Sequence, residues 1–444
     1  MKVLLVYPSH FPGGRGVAFP MPPLSVLHLA GMAREAGHDV DLLEPSAYGR
    51  ETGTPDRLNQ RLSDVDLLAL SCTSITWGEG LRFISQVRTL RPELPIVIGG
   101  VHASRYDAHL LSHGWVDFVV RGEGERGWLE LLARLQKGPG ASFDDVPGLS
   151  MRDGKGGVAR QPDPELLTDD ELGRLALPAY DLVPEDTYAI LPFESSRGCP
   201  FNCAFCSIIH QRGWRAAGSD QVFDRLARIV DTYGDRFTSK TVCLVDDCFT
   251  ADAGHVQRIC QSLGRSGLGR SLMIEARVTD LLKEGVLDSL LQIELAEIQI
   301  GVECGYDEGL HRLRKGLRVS QIRDCAARLQ AAGIAGCVMY SLILGLPWET
   351  EEHCRRTLEL GAELSQRWGG VVNFSWWIPL PSFLWDHRED YDISIGDDMY
   401  DQPAWAENPR TFWATHPLLS PESVTALRQS ANVHRRSGAR LFGI

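Results

Sequence analysis

The feature that most narrows what this chain can fold into is an alternation of strand-like and helix-like segments that runs through it twice. Over residues 1 to 136 the apolar runs "KVLLVYP", "HDVDLLEP", "DLLALSC", "PIVIGG" and "VDFVVRGEGE" alternate with the helical "LSVLHLAGMAREAG", "GLRFISQVRTLRP" and "WLELLARL". Strands this short and this apolar are buried on both faces, which calls for a parallel sheet with helices on each side. The expectation is a doubly wound, Rossmann-like α/β domain. Ligands of such sheets bind beyond the carboxyl ends of the strands. Those ends carry Pro8, Ser9, Ser71, Thr73, Gly99, Gly100, His102, Gly122 and Gly124, a small, polar, glycine-rich rim.

A second series begins near residue 189. Candidate strands near 190–196, 241–246, 272–277, 297–302, 337–343 and 371–378, with a helical stretch between each and the next, predict a partial (β/α)6 barrel over 189–389. Between the two series, residues 137–188 are rich in Gly, Pro and Asp and are expected to form a linker with a small hairpin and one short helix. Residues 390–444 fit neither series and read as a small C-terminal extension. A chain of 444 residues exceeds what one core usually supports, in keeping with this division.

Composition narrows the setting. A formal charge of -13 with no basic cluster argues against a nucleic-acid partner. No apolar run approaches the length of a bilayer span, so no membrane partner is expected. The first apolar run stops at Pro8 without a small-residue cleavage site and reads as a strand. Eleven cysteines, an odd number without a signal peptide, suggest a reducing cytoplasm.

Three of those cysteines stand together in "SSRGCPFNCAFC". Cys199, Cys203 and Cys206 follow the first strand of the second series, on a loop at the barrel mouth, where active sites of this architecture lie. Thiolates are the usual ligands of iron-sulfur clusters, and a 4Fe-4S cube has four irons to hold. Three cysteines leave one iron open to an outside ligand. A structural zinc site of the three thiols plus His210 is the rival reading, but its spacing leaves the downstream strand-end motifs unexplained.

The loop, with Phe205 just before its last cysteine, resembles that of radical S-adenosylmethionine (SAM) enzymes, and strand-end motifs extend the resemblance over about 190–385. In that family the open iron holds the amino and carboxylate groups of SAM. "LVDDCFT" looks like the family's Asp-Asp-Asn-Phe-Thr, placing Asp246 near SAM and Cys248 where Asn is usual. "IEARV" puts Arg277 at a strand end, where the resemblance implies pairing with the SAM carboxylate. "IGVECGYDEG" resembles Gly-Val-Glu-Ser-Gly, so Glu303 is expected at the ribose hydroxyls. "LILGLPWET" resembles the fifth-strand segment that lines the adenine pocket, through Ile343, Gly345 and Pro347. Two departures stand out: Cys304 replaces Ser, and "PLPSFLWD" replaces Pro-Gly-Thr. Cys248 and Cys304 are expected to be small packing residues, with a sharper alternative that one donates a hydrogen atom or contacts a soft substrate.

Residues 1 to 136 resemble the cobalamin-binding domain that precedes many radical SAM domains, in "PPLSVLHLAGMAREAGHDVDLLE", "IVIGGVHAS" and "VDFVVRGEGE". Small residues at the sheet edge suit a flat corrin, because backbone can approach it closely. The nearest match to the axial Asp-x-His-x-x-Gly motif, "DAHLLS" at 107–112, reads as a surface helix, and His102 in "GGVHAS" is a candidate neighbour of the corrin. "GGRGVAF" at 13–19 fails the Gly-x-Gly-x-x-Gly pattern of a nicotinamide or flavin site.

The resemblance implies three cofactors, a 4Fe-4S cluster, SAM and cobalamin, and an external electron donor such as flavodoxin or ferredoxin. It implies reductive cleavage of SAM to a 5'-deoxyadenosyl radical and methylation of an unactivated carbon of a small-molecule biosynthetic intermediate. A radical SAM cyclase or rearrangement enzyme that transfers no methyl is the alternative; a non-catalytic iron-sulfur or cobalamin sensor is a more distant one. A methylthiotransferase would bring three further cysteines, and only Cys72 precedes Cys199. Trp376, Trp377, Trp385, Trp405 and Trp413 are expected to be core residues, with an aromatic-lined pocket as the other reading.

Overall fold

The computed structural model describes residues 1–8, 21–47, 54–208 and 213–444. Ser9 and His210 lie outside the described residues. The chain divides into two units, Met1–Pro192 with Arg225–Ser239 and Gly396–Glu407, and Phe193–Asp224 with Lys240–Ile395 and Asn408–Ile444.

The first unit is built on β1 (Lys2–Val6), β2 (Asp39–Leu43), β3 (Leu67–Ser71), β4 (Ile96–Gly99) and β5 (Phe118–Val120), all paired in parallel in the order β2-β1-β3-β4-β5. Val3, Leu4, Leu67, Leu68, Ile96 and Ile98 are almost wholly buried, as strands covered on both faces must be. The winding direction reverses between β1 and β3. Their carboxyl ends, at Val6 and Ser71, therefore open the crevice where this topology receives its ligand.

The segment 137–188 departs from the expected linker. β6 (Leu149–Arg152) and β7 (Val158–Arg160) form the expected hairpin, but it continues the first sheet, with β6 antiparallel to β5. Asp107, on the helix Val101–Ser112, fixes it there. Its buried carboxylate accepts from Arg160 Nε at 2.8 Å, Arg160 Nη2 at 2.6 Å and Ser150 Oγ at 2.6 Å. The "DAHLLS" segment is a helix as read from sequence, yet this part of it faces inward. Thr168 and Glu171 make a reciprocal cap for the helix Asp169–Arg174.

Part of the expected C-terminal extension also belongs to the first unit. Trp405 Nε1 donates to Ser74 O at 2.7 Å, and Asp401 Oδ1 accepts from Trp77 Nε1 at 2.7 Å. Residues 396–407 are thus anchored by two indole N–H groups that burial obliges to find acceptors. Trp385 and Trp405 are 1% exposed and Trp377 is 4% exposed, so these three are core, while Trp413 is exposed.

The second sheet runs β16-β15-β14-β13-β12-β11-β8, formed by β8 (Leu191–Phe193), β11 (Thr241–Leu244), β12 (Ser271–Ala276), β13 (Leu295–Glu303), β14 (Val338–Leu344), β15 (Val371–Trp376) and β16 (Leu441–Phe442). Two short strands, β9 (Ser196–Arg197) and β10 (Arg215–Ala216), pair separately and antiparallel. Strands β11 to β16 are parallel throughout. Six strands match the six expected from sequence, and β16, from the chain's last residues, adds a seventh.

Along β12 to β15 burial largely alternates residue by residue, whereas β8 and most of β11 are buried. Leu342, Leu344, Ile298, Ile300, Ile274, Val372 and Phe374 are buried, while the residues between them remain accessible. A strand's side chains alternate between faces, so one face is packed and the other is open. The open face is the inside of a partial barrel.

Candidate functional site

Cys199, Cys203 and Cys206 lie on the loop that leaves β9. Gly198, with φ +84°, turns the chain where a Cβ-bearing residue would be strained. Two carboxylates beyond β11 hold the approach to this loop. Asp246, buried, accepts from Ser195 N at 2.7 Å, Ser195 Oγ at 2.6 Å and Ser196 Oγ at 2.6 Å, and Asp247 accepts from Gly198 N at 2.8 Å. Burial pushes the Asp246 carboxyl up to about 7. Ala204 N donates to Leu313 O at 2.9 Å and Cys206 N to Cys203 O at 3.1 Å, which closes the turn between the second and third cysteines.

Two of the three thiols are shifted, in opposite directions. Burial, followed by Cys203 and Cys199, pushes the Cys206 thiol up to about 11. Cys199 is drawn down to about 7, chiefly by a hydrogen bond with Cys248 and then by the Phe201 backbone and the charge of Arg277. Thiolate is the form that ligates metal, and a bound cation offsets the repulsion between neighbouring thiolates. Among the described residues no three His, Cys, Asp or Glu converge on a single ion. A cluster does not ask for that, since each cysteine takes its own iron; the donor set fits a 4Fe-4S group with one open corner.

Around the loop, Lys315 Nζ pairs with Glu303 Oε1 at 2.7 Å, with both side chains buried. Glu303 itself has φ +70°, rare for a residue with a Cβ and found where the surroundings over-determine it. Phe205 lies beside this pair, its ring centroid 5.8 Å from Lys315 Nζ. Arg277 points at the cysteine loop: Nη1 is 3.4 Å from Cys203 Sγ and Nη2 donates to Lys315 O at 2.6 Å. Glu303, Arg277, Phe205 and the cysteines thus gather at one sheet end.

Ile343 lies on the open face of β14, and Gly345 and Pro347 follow in the turn beyond it, both buried. Gly345 has φ +75°, and a Cβ there would lie 2.4 Å from His416 Cδ2. His416 caps the helix Pro409–Thr415; its Nδ1 donates to Phe412 O at 2.7 Å, and its ring stacks on Phe412 with centroids 4.2 Å apart. The C-terminal extension therefore reaches the turn after β14, a contribution the sequence reading did not include.

Cys304 is fully buried, its Sγ 3.7 Å from Tyr306 O and so close to Gly309 that a Cβ there would lie 2.3 Å away. Its side chain is packed among these neighbours. Cys248, 3% exposed, sits between Cys199 and Asp280, with Sγ 3.9 Å from Asp280 Oδ2.

The open face of the sheet carries polar rows that sequence motifs did not mark. Glu275 pairs in register with Gln299, Ser341 with Asn373, and Ile343 with Ser375, all on accessible positions. Protein crowding and the charges of Glu303 and Asp247 hold the accessible Glu275 carboxyl above its usual range. Polar residues at every second position of these strands were the available signal.

In the first unit, Ser71, Thr73, Gly99, Gly100, Gly122 and Gly124 stand at the ends of β3, β4 and β5 as expected. Thr73 and Thr76 exchange hydrogen bonds, Thr73 N to Thr76 Oγ1 at 3.0 Å and Thr76 N to Thr73 Oγ1 at 3.3 Å, which fixes the turn. Gly100 has φ +93°, and a Cβ there would lie 2.6 Å from Cys72 O, so it serves chain packing. A Cβ at Gly124 would meet nothing nearer than 3.9 Å, and one at Gly99 nothing nearer than Val120 O at 3.4 Å. This bare edge fits a flat macrocycle. His102, 1% exposed, is stacked on Trp77 with centroids 5.3 Å apart and hydrogen-bonded to Ser74 Oγ at 3.0 Å. Burial draws its imidazole down to about 3, so it is a neutral member of an aromatic cluster with Tyr106 and Tyr400.

Residues 14–132 match the model of the B12 binding domain, and residues 193–361 match that of the radical SAM superfamily. An uncharacterized methyltransferase of Pyrococcus horikoshii is 28% identical over 373 residues, which are 82% of this chain and 78% of that one. An anaerobic magnesium-protoporphyrin IX monomethyl ester cyclase of Rubrivivax gelatinosus is 27% identical over 394 residues, 86% of this chain and 68% of that one. The fold is that of a radical S-adenosylmethionine methyltransferase from Kitasatospora setae, solved with cobalamin and a 4Fe-4S cluster; the TM-score is 0.73 at 16% identity, over 100% of this chain and 91% of the other. The chain belongs to the radical SAM superfamily, as an enzyme with an N-terminal B12-binding domain.

Proposed function

We propose that this enzyme methylates an unactivated carbon of a small-molecule biosynthetic intermediate, using SAM, a 4Fe-4S cluster and cobalamin. The observation that carries the reading is the presence in one chain of a B12-binding fold and a three-cysteine loop at the carboxyl edge of a radical SAM sheet. The methyltransferase relative and the methyltransferase fold support it. Eleven free cysteines suit a reducing compartment, the cytoplasm, where an external donor such as flavodoxin or ferredoxin would supply electrons.

Cys199, Cys203 and Cys206 would hold the cluster, and Ser71, Thr73, Gly99, Gly122 and Gly124 the cobalamin. When bound, these groups supply the electron that cleaves SAM homolytically and the carrier for the methyl group. The chain's own task is placement. Glu303, pinned by Lys315, offers its second oxygen to ribose hydroxyls, and Ile343, on the accessible face of β14, offers an apolar contact for adenine. Gln299, Ser341 and Asn373 offer hydrogen-bonding groups to a polar substrate on the open face. Holding reactants in a fixed geometry removes much of the barrier, and a walled site keeps a radical from water.

The experiment is anaerobic turnover with methyl-deuterated SAM and candidate substrates. Appearance of the label in a product supports methyl transfer. The cyclase relative favours a second reading, in which SAM is cleaved and the substrate is cyclised without gaining the label.

A further inference from the structure

We infer that Arg277 tunes the cluster: its guanidinium hydrogen-bonds the sulfur of Cys203 and makes the cluster easier to reduce. This rests on the reading that Cys199, Cys203 and Cys206 hold a 4Fe-4S group, and it assigns Arg277 a task other than clamping the SAM carboxylate. Nη1 lies 3.4 Å from Cys203 Sγ, within reach of an N–H···S hydrogen bond.

Three further contacts fix that orientation. Nη2 donates to Lys315 O at 2.6 Å, the guanidinium lies 3.6 Å from the Phe201 ring centroid, and the backbone N donates to Thr250 Oγ1 at 3.3 Å. Arg277 is only 9% exposed, and its Nε is buried without a partner. A guanidinium stacked on one ring and hydrogen-bonded on two sides has little freedom to swing onto a ligand carboxylate as a two-pronged fork.

The consequence follows from charge. Reduction adds one negative charge to the cluster, and hydrogen bonds to ligand sulfur together with a nearby buried cation favour the more negative state. Cys203, at 8% exposure, is buried as well, so water does little to screen the pair. A lysine would keep the charge without the flat fork and the ring contact, and a glutamine would lose the charge altogether.

The test is an anaerobic redox titration of the reconstituted holoenzyme without SAM, followed by electron paramagnetic resonance and scaled to iron and sulfide content. Arg277→Gln should lower the ratio of reduced to oxidised cluster at a fixed potential by about tenfold, a shift of ~59 mV for one electron. Arg277→Lys and Phe201→Leu should give smaller shifts in the same direction. Wild-type protein that takes up no cluster would overturn the cofactor reading itself. Variants with full cluster content and unchanged potential would overturn the inference.

Discussion

Glu303, at the end of β13, and Lys315 form an ion pair of 2.7 Å, with side-chain exposures of 9% and 6%. Lys315→Met leaves the Glu303 carboxylate buried without its partner. The cost should be about 3 kcal/mol, and Glu303→Gln combined with Lys315→Met should recover much of it. Denaturant unfolding of the two single variants and the double one checks this; additive losses would mean that the pair is not coupled.

Gly345 and His416 share too little space for another methyl group. Gly345→Ala combines a φ of +75° with a Cβ 2.4 Å from the imidazole, so it should destabilise the protein by about 2 kcal/mol. His416→Ala in the same chain should relieve the steric part and leave the backbone part. Thermal unfolding of the four combinations separates the two.

Asp246 gives a pH signature. Its folded carboxyl is raised from 3.8 to about 7, so between those values the folded state binds more protons than the unfolded chain. Stability from this group is present below about pH 4 and is lost as pH rises through 7. Asp246→Asn cannot ionise, and its amide can still meet Ser195 and Ser196. Relative to wild type, the variant should gain stability from pH 5 to pH 8 in unfolding titrations; a constant difference across that range would contradict the burial argument.

Cys199, Cys203 and Cys206 should be individually indispensable for cluster uptake. Each Ala variant should lose the iron-sulfur absorbance and all 5'-deoxyadenosine formation while still retaining cobalamin after gel filtration. Loss of cobalamin in the same variants would show that the two units do not fold independently.

What could be read from sequence was set by local pattern. Apolar runs marked the strands of both sheets, because burial writes itself into consecutive residues, and the spacing of Cys199, Cys203 and Cys206 marked a ligand loop. Long-range packing was not legible. Nothing near Trp405 says that its indole will meet Ser74, and nothing near His416 says that it will fill the space beside Gly345. Arg277 was found by position, but its aim at Cys203 depends on the Phe201 ring and the Lys315 carbonyl, which come from other loops. The hairpin of β6 and β7 was visible as turn chemistry, whereas its docking on β5 required the buried Asp107–Arg160 contact.

The most direct test of the central claim is the product pair formed from SAM by the anaerobically reconstituted, reduced enzyme with its substrate. Methyl transfer through cobalamin predicts S-adenosylhomocysteine and 5'-deoxyadenosine together, the first lost when cobalamin is withheld and the second lost in Cys203→Ala. Formation of 5'-deoxyadenosine with no cobalamin-dependent S-adenosylhomocysteine would contradict it.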